Sequence, residues 1–113
     1  TLPDFWAALD AAAPDDTDFM LKFDLLHGRG LPNPESIWAH EIVRVDGVIH
    51  GRLANPPHNR EFKQRDSVMI DPAAIDDWAF FRSGVAHGHH VTRLMIERAP
   101  PRVARQGREA LGW

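Results

Sequence analysis

The chain has 113 residues, 43% of them hydrophobic and 26% charged, and a formal net charge of −3. That size fits one domain with a real but small core. The acidic balance offers no basic footprint for nucleic acid, and without cysteine neither a disulfide nor a thiolate zinc site can form.

In chain order, Leu2 to Ala13 reads as an amphipathic helix. Phe5, Trp6, Leu9, Ala12 and Ala13 recur at three- and four-residue spacing, Pro3 and Asp4 suit the first turn, and Pro14 stops it. It is expected to lie over a sheet; Phe5 and Trp6 would be the anchors if it docked a partner instead. Phe19, Leu21, Phe23 and Leu25 alternate and predict a strand. His27 to Pro34 is loop by composition.

The stretch Ser36 to Arg82 organises the rest. Asp46-Gly47 tolerates positive φ at both positions, as a two-residue hairpin loop requires. With Val45 facing Val48, strand periodicity places Val43 opposite His50, Glu41 opposite Arg52 and Ala39 opposite Ala54. The other face then carries Trp38, Ile42, Ile49 and Leu53, which predicts the core side, with His40 beside Leu53 and partly buried. His50 falls on the opposite face. A Glu41–Arg52 pair, worth ~0.2–1 kcal/mol, would help set register. Pro56-Pro57 ends the second strand, and His58 to Asp66 is a polar loop. Ser67 to Ile70 is a third strand. Asp71-Pro72 opens a short helix reaching Asp77, with Asp71 as cap, and Trp78 to Phe81 is a further strand closed by Ser83-Gly84. After Gly88 the period changes: Val91, Leu94, Met95 and Arg98 fit a helix. Pro101 starts a last helix, Arg102 to Leu111, with Arg102, Arg105 and Arg108 solvated, Val103, Gln106 or Gly107, Ala110 and Leu111 docked, and Gly107 weakening it by about 1 kcal/mol.

The series Trp38, Asp46-Gly47, Gly51-x-Leu53-x-Asn55-x-Pro57, Asp66-x-Val68, Ile75-x-Asp77-Trp78 and Gly88-x-x-x-Thr92-Arg93 resembles the YegJ-like family, a bacterial family of unknown function. The likeness also covers Phe19 to Phe23 more weakly. Arg65 stands where that family has glycine, and His89-His90 where it has an aromatic or similarly large residue. The resemblance implies a fold and brings no chemistry.

No apolar run approaches the roughly 18–20 residues of a membrane span, and no signal peptide is visible. A cysteine-free chain suits the cytoplasm. It starts at Thr1 rather than Met, which leaves open whether an upstream segment was removed.

His87, His89 and His90 fall within four residues, and in extended backbone His87 and His89 share a face that could chelate a metal. No HExxH or EF-hand partner accompanies them, so the expectation is no bound metal or other cofactor. Ser36, Ser67 and Ser83 sit in no nucleophile elbow. Thr92-Arg93 at a helix start could hold an anion; otherwise Thr92 caps the helix and Arg93 pairs with a carboxylate. Asn55, Asp77 and Arg93 close or open elements where polar groups can meet, and the same residues carry the resemblance. With Trp38 they are the candidate binding residues. They would form either a ligand site or a buried polar network.

These readings predict an α+β fold in a single domain, residues 1–113. Its sheet is a small antiparallel meander of four to five strands. An N-terminal helix, a short helix after the third meander strand and C-terminal helices complete it. The functional expectation is a small non-enzymatic binding or protein-interaction module that takes another protein or a small anionic ligand. One alternative is a histidine- or metal-dependent hydrolase using His87, His89 and His90. Another is an immunity- or regulator-type partner protein.

Overall fold

A computed structural model of the protein describes residues 2–25, 35–57 and 62–113. Helix α1 spans Leu2–Ala11, followed by strands β1 (Asp16–Leu25), β2 (Glu35–Val45), β3 (Val48–Leu53) and β4 (Ser67–Ile70). A single 3₁₀ turn, Pro72–Ala74, leads into β5 (Ile75–Arg82) and β6 (Val85–Gly88), and helices α2 (His90–Arg98) and α3 (Pro101–Leu111) close the chain. The fold is α+β, with six strands in one antiparallel sheet ordered β4-β3-β2-β1-β5-β6. The count exceeds the expected four to five. β6 escapes sequence reading because Val-Ala-His-Gly is short and has no alternation. Among the described residues no helix is long and apolar enough to cross a membrane. The predicted loop His27 to Pro34 lies outside the described residues, as does His58 to Glu61 of the second loop.

Internal contacts group the chain into two compact units: Met20–Asp76, and Thr1–Phe19 together with Asp77–Trp113. In the first unit Asp46 and Gly47 adopt φ of 51° and 77°, so the predicted two-residue loop forms. The register Val45–Val48, Arg44–Ile49, Val43–His50 follows as expected and then slips. Glu41 takes φ 53°, a β-bulge inserts one residue, and beyond it His40 lies opposite Arg52 and Ala39 opposite Leu53. One inserted residue reverses every face before it. Ile37 and Ala39 therefore join Ile42, Ile49 and Leu53 in the core. Trp38 moves to the outer face and is only half-buried, against the expectation of a core tryptophan. His40 also turns outward and shares a face with His50 rather than lying beside Leu53. Glu41 still reaches Arg52, at 3.4 Å, through the bulge instead of directly across it. Gly51 is the complement of this distortion: a Cβ there would meet Ile42 Cδ1 at 2.9 Å and Ala39 Cβ at 3.2 Å.

β4 has the predicted limits, and Asp71 caps the 3₁₀ turn, its Oδ1 accepting from Ala73 N at 2.9 Å. The turn stops at Ala74, not Asp77, because Ile75 is already extended (ψ 121°) and β5 absorbs the next residues.

In the second unit the interior is aromatic. Phe5 of α1 contacts Phe19 and Trp78, while Phe80 stacks between Phe19 and Trp78 at 5.1 and 5.8 Å. Ser83-Gly84 forms a second two-residue hairpin turn, with φ of 51° and 81°, and pairs Phe80 with His87 and Ala79 with Gly88. Arg82 Nε and Nη2 grip the Asp16 carboxylate at 2.8 and 3.0 Å. The α3 residues facing inward are Ala104 and Gly107. Val103, expected to dock, is 53% exposed. A Cβ on Gly107 would meet the Ile96 side chain at 3.0 Å, so this glycine lets α2 and α3 approach closely.

Candidate functional site

Among the described residues one concavity belongs to the meander unit. It is a cleft of about 580 Å³ lined by Phe23, Asp24 and Leu25 of β1, Ser67, Val68 and Met69 of β4, and Phe62, Asp71, Ala73 and Ala74 around the 3₁₀ turn. Each piece has a local cause. Strand alternation turns Phe23, Leu25 and Val68 inward. The Asp71 cap and Pro72 hold the turn that presents two small alanines. A mostly apolar wall with a few polar groups, at this volume, is what small-ligand sites look like. The acidic residues among those lining it are Asp24 and Asp71.

Asp24 has a like-charged neighbour. Partial burial, then the hydrogen-bonded Asp24 carboxyl, raise Asp76 above the ordinary carboxylate value, against opposing pulls from the Ser36 hydroxyl and Lys22. Ser36 Oγ donates to Asp76 Oδ2 at 3.4 Å, and Ser36 lies opposite Asp24 in the β1–β2 register.

In the second unit Asp77 is the organising polar group, 2% exposed. Its Oδ1 accepts from Trp78 N at 2.8 Å and faces His90 Nδ1 at 3.1 Å, and its Oδ2 accepts from Val91 N at 3.0 Å. Burial pushes this carboxyl up, but the Val91 amide, the His90 ring and the Trp78 and His90 amides outweigh it, and its pKa falls below the ordinary value. The anion at the start of α2 is thus the protein's own carboxylate. The α2 N-cap residue is His89, in left-handed backbone (φ 51°) with no side-chain hydrogen bond to the helix backbone; its ring meets Thr92 Oγ1 at 3.3 Å. Gly88 makes this junction possible. At φ 80°, a Cβ on it would collide with the Trp78 carbonyl oxygen.

The clustered histidines have separate tasks. His87 stacks on Phe80 at 5.2 Å, His89 meets Thr92, and His90 bridges Asp77 and the edge of Trp78. Among the described residues no three His, Cys, Asp or Glu side chains are grouped to hold a metal ion. Among the described residues the buried indole Nε1 of Trp78 has no hydrogen-bond partner.

The four candidate binding residues divide between the units. Asn55 is exposed after β3, next to Ala54, whose N–H donates to the Trp38 carbonyl at 2.9 Å. Asp77 and Arg93 belong to the other unit. Arg93 is exposed and, against expectation, pairs with no carboxylate among the described residues. Its Nε donates to Gly88 O at 3.2 Å and its guanidinium lies 3.7 Å above the Trp113 ring. The reason is positional: Asp77 is already saturated by His90 and the α2 amides, while Trp113 is fixed by Nε1 donating to Ala86 O at 3.0 Å. Sequence reading misses the cleft, whose walls are gathered from distant parts of the chain, from Phe23 to Ala74. It also misses the role of His90, which cooperates with an aspartate thirteen positions earlier.

A small α+β protein with a six-stranded antiparallel sheet and an open apolar cleft is what these features define. The chain belongs to DUF2314, described as an uncharacterized protein conserved in bacteria, and the match spans residues 1–113. No curated protein and no solved structure matches the chain.

Proposed function

We propose that the protein is a small non-enzymatic binding module whose ligand enters the cleft between β1, β4 and the Pro72–Ala74 turn. The observation that carries this is the cleft itself: about 580 Å³, walled by Phe23, Leu25, Phe62, Val68 and Met69, a size and character suited to an apolar small molecule. Two finer readings go with it as proposals: the YegJ-like label, carried by the ordered series from Trp38 to Arg93, and a cytoplasmic location. The test is to fill the cleft. Ala73 is exposed and lines it, so Ala73→Phe should occupy the space with the core untouched. Nile red, a neutral dye that brightens in apolar surroundings, should bind the natural chain and lose that binding in the variant at unchanged melting temperature. Equal dye binding by both proteins, or none by either, defeats the reading.

Arg93 favours a second contact, for an anion. It is exposed, and its Nε bond and the Trp113 ring hold it in place. Asp77 would serve by fixing the start of α2; Asn55 and Trp38 belong to the meander unit and are proposed as contacts of that unit. Arg93→Ala should then abolish binding of an anion such as inorganic phosphate with little loss of stability; retained binding would count against it.

A further inference from the structure

We infer that the cleft takes an extended peptide segment of a partner protein, which adds as a further strand along the free edge of β4 and places one apolar side chain in the cavity. The inference rests on the cleft being a ligand site and adds the class of ligand.

Among the described residues β4 pairs with β3 and ends the sheet on that side. The phase of its backbone is set just before it. Leu53 N–H donates to Asp66 O at 3.0 Å, and Leu53 O accepts from Arg65 N at 2.8 Å. Antiparallel pairs alternate between hydrogen-bonded and non-hydrogen-bonded. The register continues through Arg52–Ser67, Gly51–Val68 and His50–Met69. Val68 therefore bonds to β3, while the N–H and C=O groups of Ser67 and Met69 point out of the sheet. The cleft runs along this edge. Ser67, Val68 and Met69 all line it, although alternate residues of a strand face opposite sides of a sheet. A cavity lined by both kinds meets the strand edge-on. A row of outward donors and acceptors matches another peptide backbone at the same spacing, whereas a hydrocarbon ligand leaves it unused. The register of the segment follows. The residues bonded to Ser67 and Met69 flank one that lies opposite Val68, and directly opposed side chains share a face. Val68 is buried on the inner face, so the central side chain enters the cleft toward Phe23, Leu25 and Phe62 and has to be apolar. The flanking side chains fall on the side of Met69, which is 74% exposed, and can be polar. The described lining residues include Asp71 and neither lysine nor arginine, so the segment lacks acidic residues. A cavity of about 580 Å³ admits one extended segment; the edge of a second copy would bring its whole sheet with it.

The test uses a capped pentapeptide, threonine-threonine-leucine-threonine-threonine, and its analogue N-methylated at the second and fourth residues. Threonine favours extended backbone, leucine is the anchor, and the methyl groups remove the N–H groups that would meet Ser67 and Met69. Hydrogen exchange reads the site. In the free protein the Ser67 and Met69 amides should exchange fast and the Val68 amide slowly; the parent peptide should protect the first two. The N-methylated peptide should bind about tenfold more weakly or worse, the effect of losing a pair of hydrogen bonds. Met69→Pro removes the outward N–H at an edge position that tolerates proline. It should keep the melting temperature and weaken the parent peptide by roughly fivefold. Slow exchange of Ser67 and Met69 in the free protein overturns the inference. So does equal binding of the two peptides, or binding of the parent without protection of Ser67 and Met69. Nile red binding with no peptide binding overturns it as well and leaves a cleft for small molecules. If neither Nile red nor the peptide binds, the cleft reading itself falls.

Discussion

The two units solve the same problem with different means. Both contain a two-residue hairpin turn with nearly the same backbone, φ 51° and 77° at Asp46-Gly47, φ 51° and 81° at Ser83-Gly84. Apart from Phe23, the meander unit then fills its interior with aliphatic side chains, accommodates a bulge at Glu41, and leaves a cleft beside β4. The other unit packs Phe5 against a stack of Phe19, Trp78, Phe80 and His87 and locks the start of α2 with a buried carboxylate and a glycine under a tryptophan. Aliphatic packing tolerates a gap, because each side chain contributes a small, non-directional share. The polar lock does not, because each atom is placed by hydrogen bonds whose loss leaves a buried group unsatisfied. The comparison predicts that the aromatic unit is brittle and the meander forgiving.

The sharpest way to break this comparison is a pair of glycines with matching φ. A methyl group added at Gly47 (φ 77°) would have nothing within 4 Å, whereas at Gly88 (φ 80°) it would collide with the Trp78 carbonyl and ring. Gly47→Ala meets only left-handed strain, roughly 1–2 kcal/mol. Gly88→Ala adds overpacking and should lose roughly 3–5 kcal/mol in all, visible as a fall in melting temperature several times larger. Equal losses in the two variants would show that backbone strain alone decides and that the aromatic unit is not locked.

Asp77→Asn comes next, at about 2–4 kcal/mol, since an amide cannot accept at both positions that now face N–H groups. Its pH dependence carries the sign. The folded carboxyl titrates below its ordinary value, so its stabilisation is complete above that value, ~3.9 in an unfolded chain, and is lost as pH falls through the folded one. Thermal melts should therefore show a constant gap between natural chain and variant from pH 7 to about pH 5, narrowing in more acid solution. A gap that widened in acid would contradict the assignment.

How much of this is legible in the sequence divides along the same line. Asp46-Gly47 names its turn because both residues are favoured there, and Asp71-Pro72 names its cap. Ser83-Gly84 reads only as a strand end, since Val85–Gly88 is too short to announce a partner strand. The bulge leaves no local mark: glutamate at positive φ is disfavoured, and the room it needs is supplied across the ladder by Gly51. Strict alternation puts Trp38 and His40 on the wrong faces for that one reason. The α2 lock is half visible, in Asp77 and Gly88, but its partner His90 reads as one of a loop cluster. The cleft is invisible because its residues each look like core or turn, and only the fold gathers them.

Arg65 tests the meander's tolerance from the stabilising side. It occupies φ 74°, a left-handed conformation that favours glycine. Glycine there removes about 1–2 kcal/mol of left-handed strain and returns ~0.4–1 kcal/mol as extra freedom of the unfolded chain. The exposed Arg65–Glu41 pair, at 3.7 Å, contributes little, and Glu41 keeps Arg52. Arg65→Gly should raise stability by up to about 1 kcal/mol, a rise of a few degrees in melting temperature. A fall would mean that the left-handed position is supported by contacts beyond this pair.

Asp76 gives the smallest effect and the most direct contrast, because it is the neighbour of Asp77 in the chain and its pKa moves the opposite way. Partial burial and Asp24 raise it. A carboxyl that is harder to ionise in the folded state costs stability once the pH has risen through its folded value, and costs nothing below its ordinary one. Asp76→Asn removes that repulsion and keeps an acceptor for the Ser36 hydroxyl, which now donates at 3.4 Å. Asp76 is exposed, so solvent screens most of the interaction and the gain should be only about a few tenths of a kcal/mol. It should be present at pH 7 and absent in acid, whereas the loss in Asp77→Asn, equally absent in acid, has the opposite sign at pH 7. Melts of the two single variants across this range separate a carboxylate the fold is built around from one it merely carries. If Asp76→Asn destabilised the protein at neutral pH, the Asp24–Asp76 pair would be a support rather than a strain, and the meander would depend on a polar lock of its own.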